Sequence, residues 1–361
     1  MRATFQGRRH VGTVRQPGWL RYDMNSVAAY EKIVRPLLFS VDPERAHHFT
    51  IDLLRRASHL NLALRLLQYF QPPAKPKTVF GLTFRNPIGL AAGIDKNGAA
   101  LPALAALGFG FIEIGTVTAT GQPGNPKPRI FRYPEQEALI NRLGFNNDGA
   151  DMVANRLRYW QETNRWPPIP VGINIGKSKA TPLEQAPGDY LHSFRRLQKF
   201  ADYIVLNVSS PNTPALRTLQ ARDSLTPLLR AVREENRGEK PILVKISPDL
   251  SVGDLEEIIA TCEENKIAAV IATNTTLDHS AIPSQDDETG GLSGAPLREK
   301  STALVRMIAA RSALPVIGCG GIFDAESARE KMEAGAGLIQ IYTGLIYRGP
   351  GLLREIAGSL P

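Results

Sequence analysis

Eight short, nearly uninterrupted apolar runs, separated by stretches with helical spacing, constrain this chain more than any other feature. They cover residues 88–92, 111–115, 170–175, 203–208, 242–246, 269–273, 315–319 and 338–342. A strand with one wet face alternates polar and apolar residues. Runs that do not alternate belong to strands covered on both faces, the condition of a parallel sheet. Eight of them between helices predict an α/β fold, a (β/α)8 barrel, with an open doubly wound sheet as the alternative. Residues 78–84, centred on Gly81, read as a small hairpin closing the barrel floor.

The chain upstream is of another kind. Residues 26–70 read as two or three short amphipathic helices. Ser26 caps the first, which carries Val27, Tyr30, Ile33, Val34, Leu37 and Leu38. Asp42-Pro43-Glu44 is a start signal: a capping carboxylate, proline in the first turn and an acid on the positive dipole end. Ala46, Phe49, Leu53, Leu54 and Ala57 follow it at helical spacing. Residues 71–77, with Pro72, Pro73 and Pro76, form a stiff linker. The chain thus divides into an extension over 1–23, a helical domain over 24–71, the linker over 72–77 and the barrel over 78–361. Residues 1–23 lack apolar periodicity, which predicts disorder and makes Met24 a candidate start; an arginine-rich organelle presequence is the rival reading.

With 361 residues, 43% hydrophobic and 22% charged, the chain can bury a large core. Its cysteines, Cys262 and Cys319, stand far apart, which fits neither a disulfide scaffold nor a cysteine-based metal site. No run of ~18 apolar residues exists to span a bilayer. A net charge of +8 suggests nucleic acid, but five arginines against one aspartate in residues 1–23 supply half of that excess. No recognition helix, zinc finger or aromatic RNA-binding pattern accompanies the rest, so nucleic acid is not an expected partner.

Barrels carry their chemistry at the C-terminal ends of the strands, and here those ends are polar. The first ends Ala92-Gly93-Ile94-Asp95-Lys96, where small residues admit a flat ligand and a cation follows. Thr116 ends the second, and its loop carries Asn141-Arg142-Leu143-Gly144-Phe145. Asn174-Ile175-Gly176-Lys177 ends the third. The fourth delivers Asn207, Ser209, Ser210 and Asn212 where Pro211 stops the strand. Lys245 ends the fifth and Thr273-Asn274-Thr275 the sixth. Gly294, Gly318-Cys319-Gly320-Gly321 and Tyr342-Thr343-Gly344 form a backbone cradle of the kind that holds phosphate in barrels, although each glycine singly reads as a turn. Asn141, Asn174, Asn207, Asn212 and Asn274 make a site rich in amides, without paired carboxylates or a His/Cys cluster. That suits a uracil-like anion stacked on a flavin rather than a metal, and none is expected. No G-x-G-x-x-G follows an early strand, so a Rossmann nicotinamide site is not indicated.

Asn207 to Pro214, Ala92 to Lys96, Asn174 to Lys177, Gly291 to Gly294 and Gly318 to Ile322, in this arrangement, resemble dihydroorotate dehydrogenase of class 2. These are quinone-dependent, membrane-associated flavoenzymes of pyrimidine synthesis, and the resemblance covers about residues 25–358. Ser210 stands where the soluble class 1 enzymes have a cysteine. The helices with Asp42-Pro43-Glu44-Arg45-Ala46-His47 are similar to the class 2 quinone-tunnel domain. Residues 1–23 match nothing in the bacterial pattern, and the transmembrane helix of eukaryotic relatives is not found.

The resemblance implies oxidation of (S)-dihydroorotate to orotate with one FMN per chain and delivery of electrons to a membrane quinone. It implies Ser210 as the base. It puts Lys96, Asn141, Arg142, Leu143, Gly144, Phe145, Asn207, Asn212, Asn274 and Thr275 around the substrate. Around FMN it puts Ala92, Gly93, Ile94, Asp95, Lys96, Thr116, Asn174, Asn207, Lys245, Thr273, Gly294, Gly321, Tyr342 and Thr343. His47 and Arg132 resemble the polar pair at the inner end of the quinone tunnel, a helix-surface histidine being the plainer reading of His47. It implies a monomer held peripherally on the cytoplasmic face of the bacterial inner membrane, or alternatively at the mitochondrial inner membrane. The rivals are an FMN barrel with a soluble acceptor, which a cysteine at position 210 would favour, and a non-catalytic phosphate- or membrane-binding scaffold, which leaves the asparagines unexplained.

Overall fold

The computed structural model describes residues 26–213, 215–237 and 240–360; the extension over 1–23 and Met24 lie outside them. The apolar runs fold as strands β1 (Ile88–Leu90), β2 (Phe111–Val117), β3 (Val171–Ile175), β4 (Tyr203–Asn207), β5 (Ile242–Ile246), β6 (Ala269–Ala272), β7 (Val316–Cys319) and β8 (Leu338–Ile341). All pair in parallel and in sequence order, and β8 closes on β1, so the sheet is a barrel and not an open one. Every residue in these strands is buried, which is why none of them alternates.

Aromatic rings fill the N-terminal end of the barrel. A Cβ on Gly89 would lie 2.2 Å from the Phe111 ring, and one on Gly172 would lie 2.1 Å from the Tyr203 ring. Those two glycines make room for the rings of neighbouring strands. The hairpin pairs Lys77–Val79 with Leu82–Phe84 around Phe80 and Gly81, both with positive φ. Its Phe84 packs on Phe111 at 5.1 Å between centroids and its Phe80 on Tyr203 at 5.9 Å, which seals the floor.

Upstream, helical segments Tyr30–Val34 and Arg35–Phe39 precede the helices Pro43–Ala57 and Asn61–Leu67. Asp42 caps the third of these, its Oδ1 accepting from the Arg45 N–H at 2.9 Å. Its apolar residues do not all turn inward: Phe49 is 63% exposed and Leu53 56%. A carboxylate goes inside instead. Glu44 accepts from Arg129 Nη2 at 2.7 Å and Nε at 3.2 Å, and Arg129 also donates to the carbonyls of Pro123 and Asn125. This buried pair fastens the helix to the loop after β2.

Two loops hold more order than their sequence suggests. Ile130–Tyr133, Ala138–Asn141 and Gly291–Gly294 form a three-stranded antiparallel sheet that joins the loop after β2 to the loop after β6. It carries Asn141 and Gly294 to the mouth of the barrel.

Candidate active site

At the C-terminal end of the barrel lies an open cavity of about 930 Å³, to which every strand except β3 contributes at or near its end. It brings together Ala92, Gly93, Lys96, Thr116, Asn141, Leu143, Gly144, Phe145, Asn207, Ser210, Asn212, Lys245, Thr273, Asn274, Thr275, Gly294, Gly321, Tyr342 and Thr343 from the residues singled out in the sequence.

Four others lie outside its wall. Asn174 is buried behind it, accepting from Thr116 Oγ1 at 2.6 Å and donating to Glu113 Oε1 at 2.8 Å. Asp95 is turned away and accepts from the backbone N–H groups of Ala99 and Ala100, both at 2.8 Å. Ile94 lines a second cavity instead. Arg142 reaches outward to Glu288 at 2.8 Å and covers the Phe131 ring. A side chain next in sequence to a site residue on extended backbone points the other way, which is what separates Arg142 from Asn141.

A chain of hydrogen bonds organises the floor of the cavity. Asn207 Nδ2 donates to Thr116 Oγ1 at 2.9 Å, and Asn274 Nδ2 donates to Asn207 Oδ1 at 3.2 Å and to Ser209 Oγ at 3.0 Å. Through Thr116 and Asn174 the chain ends on Glu113, which is wholly buried, lies 4.0 Å from the Lys245 ammonium and accepts from Gln340 Nε2 at 2.5 Å. Glu113 and Gln340 are the groups that sequence reasoning missed. The available signal was a carboxylate in the middle of an apolar strand, where only a paired charge survives burial. Thr275 Oγ1 and Gln340 Oε1 are buried with no partner among the described residues, and both residues line the cavity.

Ser210 and the lysines have distinct settings. Ser210 is 6% exposed, and its Oγ accepts from the Asn212 N–H at 3.3 Å. Asn212 Nδ2 donates to the Asn141 carbonyl at 2.9 Å and to Asn141 Oδ1 at 3.2 Å, joining the β4 loop to the accessory sheet. Lys96 donates to the Gly93 carbonyl at 3.1 Å. Burial, with Arg129 nearby, brings its ammonium down to about 8 against the pull of Glu44 and Asp95. Elsewhere in the wall Gly294, Gly320 and Gly321 have φ of 108°, 113° and 69°, and Thr343 donates to Ser293 Oγ at 3.0 Å.

A second cavity, of about 1360 Å³, opens among the N-terminal helices and is lined by apolar side chains including Leu38, Phe39, Phe49, Leu53, Leu54, Leu67 and Phe70. His47 and Arg132 are its ionisable nitrogen-bearing members, Tyr30 and Thr50 add hydroxyls, and Tyr342 belongs to both cavities. Burial, followed by the charge of Lys96, pushes His47 down to about 3, so its imidazole is neutral. Arg132 donates to the carbonyls of Leu38 and Val41 and covers the Phe39 ring, 4.6 Å from its centroid.

Residues 76–361 match the family model described as dihydroorotate dehydrogenase. The chain belongs to the dihydroorotate dehydrogenase family. It is 52% identical over 333 residues to dihydroorotate dehydrogenase (quinone) of Gloeobacter violaceus, covering 91% of this chain and 93% of that one. The protein of the same name from Chloroflexus aurantiacus is 50% identical over 347 residues, covering 91% and 94%. Among solved structures, ligand-free dihydroorotate dehydrogenase from Eimeria tenella superposes with a TM-score of 0.80 at 36% identity, covering 88% of this chain and 94% of that one. The barrel expected from the apolar runs is therefore the family's fold.

Proposed function

We propose that this chain oxidises (S)-dihydroorotate to orotate in pyrimidine synthesis and passes the electrons to a quinone, with FMN held at the barrel mouth. The observation that carries the reading is the meeting of two unlike cavities at Tyr342. One presents amides, lysines and bare backbone; the other is apolar and opens where the helices expose Phe49 and Leu53. The relatives named for quinone share about half their residues with this chain over nearly its whole length.

The dihydroorotate dehydrogenase family is flavin-dependent, and FMN in particular suits the residues present. The glycine wall with the Thr343 hydroxyl is fitted to a phosphate. Thr116, Asn207, Lys245, Thr273 and the unpaired Gln340 carbonyl offer donors and acceptors to the edge of a flat ring. FMN bound here would supply the acceptor for the hydride that leaves C6 of dihydroorotate. Ser210 takes the proton from C5, in a pocket that keeps solvent from competing. Asn141, Asn207, Asn212, Asn274 and Thr275 hold the substrate ring, and Leu143, Gly144 and Phe145 close round it. Lys96 neutralises the carboxylate, and Lys245 supplies a cation to the flavin's pyrimidine edge. Ala92, Gly93 and Tyr342 would lie against the flavin. Asn174 acts through Thr116, while Asp95, Ile94 and Arg142 shape the walls from behind.

Quinone enters the apolar cavity, with His47 and Arg132 at its polar end. One chain builds both cavities, which supports action as a monomer. Among the described residues no helix is long and apolar enough to cross a membrane. The exposed Ile33, Leu37, Leu60, Leu62 and Leu66 support peripheral contact with lipid, which we assign to the cytoplasmic face of a bacterial inner membrane. Purified protein should carry a flavin spectrum that dihydroorotate bleaches under nitrogen and that a quinone, but not fumarate or NAD, restores. A colourless protein, or a flavin that dihydroorotate leaves oxidised, overturns the proposal.

A further inference from the structure

We infer that Lys331, which does not touch the cavity, is the counter-charge that lets this site select a phosphorylated flavin. The inference rests on the reading of Gly294, Gly320 and Gly321 as a phosphate cradle. Lys331 lies on helix Ala325–Glu333, behind β7, and is completely buried. Its stem fills the space beside a glycine: a Cβ on Gly318 would fall 2.4 Å from Lys331 Cγ.

The surroundings of its ammonium are unusual for an interior cation. It donates to Thr302 Oγ1 at 2.7 Å, to Ser301 Oγ and to the Arg298 carbonyl at 3.4 Å. All three acceptors are neutral. The neighbouring Glu330 is already engaged by Arg298, through hydrogen bonds of 2.8 and 2.6 Å, and Arg298 adds a second positive charge. Arg298, Ser301 and Thr302 belong to the start of helix Arg298–Arg311, so the ammonium also stands at the positive end of a helix dipole. Lys331 lies in the last turn of its own helix, whose negative end favours a cation. Burial among neutral partners, with Arg298 beside it, still leaves the charge costly, and a nearby anion would offset that cost.

The position of Lys331 shows where that anion belongs. Ser301 Oγ, which accepts from Lys331, also donates to the Gly320 carbonyl at 3.0 Å. Gly321 lies directly on Arg298, since a Cβ there would come within 2.2 Å of Arg298 Cα. The ammonium is thus one hydroxyl removed from the cradle backbone. Burial brings it down to about 7, with Cys319 and Glu330 holding it up and Arg298 opposing them. A phosphate on the cradle would keep it charged. Ser301 and Thr302 act as the insulated seat of the charge, and Gly318 as the opening that admits it.

The test uses the full chain stripped of flavin and titrated separately with FMN and with riboflavin, following the quenching of flavin fluorescence. Lys331→Met keeps the length of the side chain and removes the charge. It is expected to weaken FMN by about 10- to 100-fold and riboflavin by less than about twofold, as loss of one medium-range charge pair would. Lys331→Gln, which keeps a donor for Ser301, should show the same asymmetry and serves if the methionine variant does not fold. Unchanged FMN affinity, or equal losses for FMN and riboflavin in both variants, overturns the inference. Parent protein that binds FMN and riboflavin alike would remove the phosphate cradle itself, an outcome distinct from a failure of Lys331 alone.

Discussion

A serine hydroxyl is a weak base in water, so what Ser210 can do depends on how it is held. Its Oγ is fixed by the Asn212 N–H, and Asn212 is itself tied to Asn141. Ser210→Ala is expected to keep flavin bound while bleaching by dihydroorotate slows by about 10²- to 10⁴-fold; stopped-flow reduction at the parent rate would remove Ser210 as the base. Lys96 gives a pH dependence whose sign is fixed. Burial lowers its ammonium to about 8, so the cation is present at neutral pH and lost as the pH rises through that value. kcat/KM for dihydroorotate should fall above this point by about one decade per pH unit, and in Lys96→Met it should be low and flat. A parent profile that stays level into the alkaline range would separate Lys96 from the carboxylate. Most of the cavity residues were legible because they end apolar strands. Glu113 was not, because it lies in mid-strand, where only the hydrophobic run is read. Gln340 was not, because a lone uncharged amide next to the end of its strand carries no charge or motif to mark it.

At the level of elements, the barrel strands announce themselves by continuity, and the helix at Pro43 by its cap and proline. The three-stranded sheet does not, since its strands are four residues long and Gly291–Gly294 comes from a remote segment. Short pairings between distant segments leave no local period to read. The attachment of helix Pro43–Ala57 depends on Glu44 and Arg129. Although burial opposes it, Arg129 and Lys127 hold the Glu44 carboxyl down at about 2. The contribution of the pair is therefore present above the ordinary carboxylate range and lost as the pH falls toward 2. Glu44→Ala leaves Arg129 buried without its partner and should lower unfolding stability by about 3 kcal/mol, read from urea denaturation. Leu37 and Leu62, exposed and outside both cavities, test the lipid contact. The double variant Leu37→Asp, Leu62→Asp should no longer sediment with anionic vesicles, while dihydroorotate still bleaches its flavin at the parent rate. Unaltered sedimentation would place the lipid contact elsewhere.

For the whole molecule, the arrangement separates what the two substrates need. On the proposed reading, dihydroorotate meets amides and lysines at the barrel mouth, and quinone meets a wall built largely by the N-terminal helices. Tyr342 is the side chain the two cavities share. Catalysis divided in this way would take turns: orotate would leave, and only afterwards would the acceptor collect what dihydroorotate left behind. Double-reciprocal plots at several fixed quinone concentrations should then be parallel, and intersecting lines would mean that both substrates must be present together. A compound lodged in the apolar cavity would compete with quinone yet act uncompetitively toward dihydroorotate. More dihydroorotate would then deepen the inhibition, and a cell that piled up unused precursor could not escape such a block.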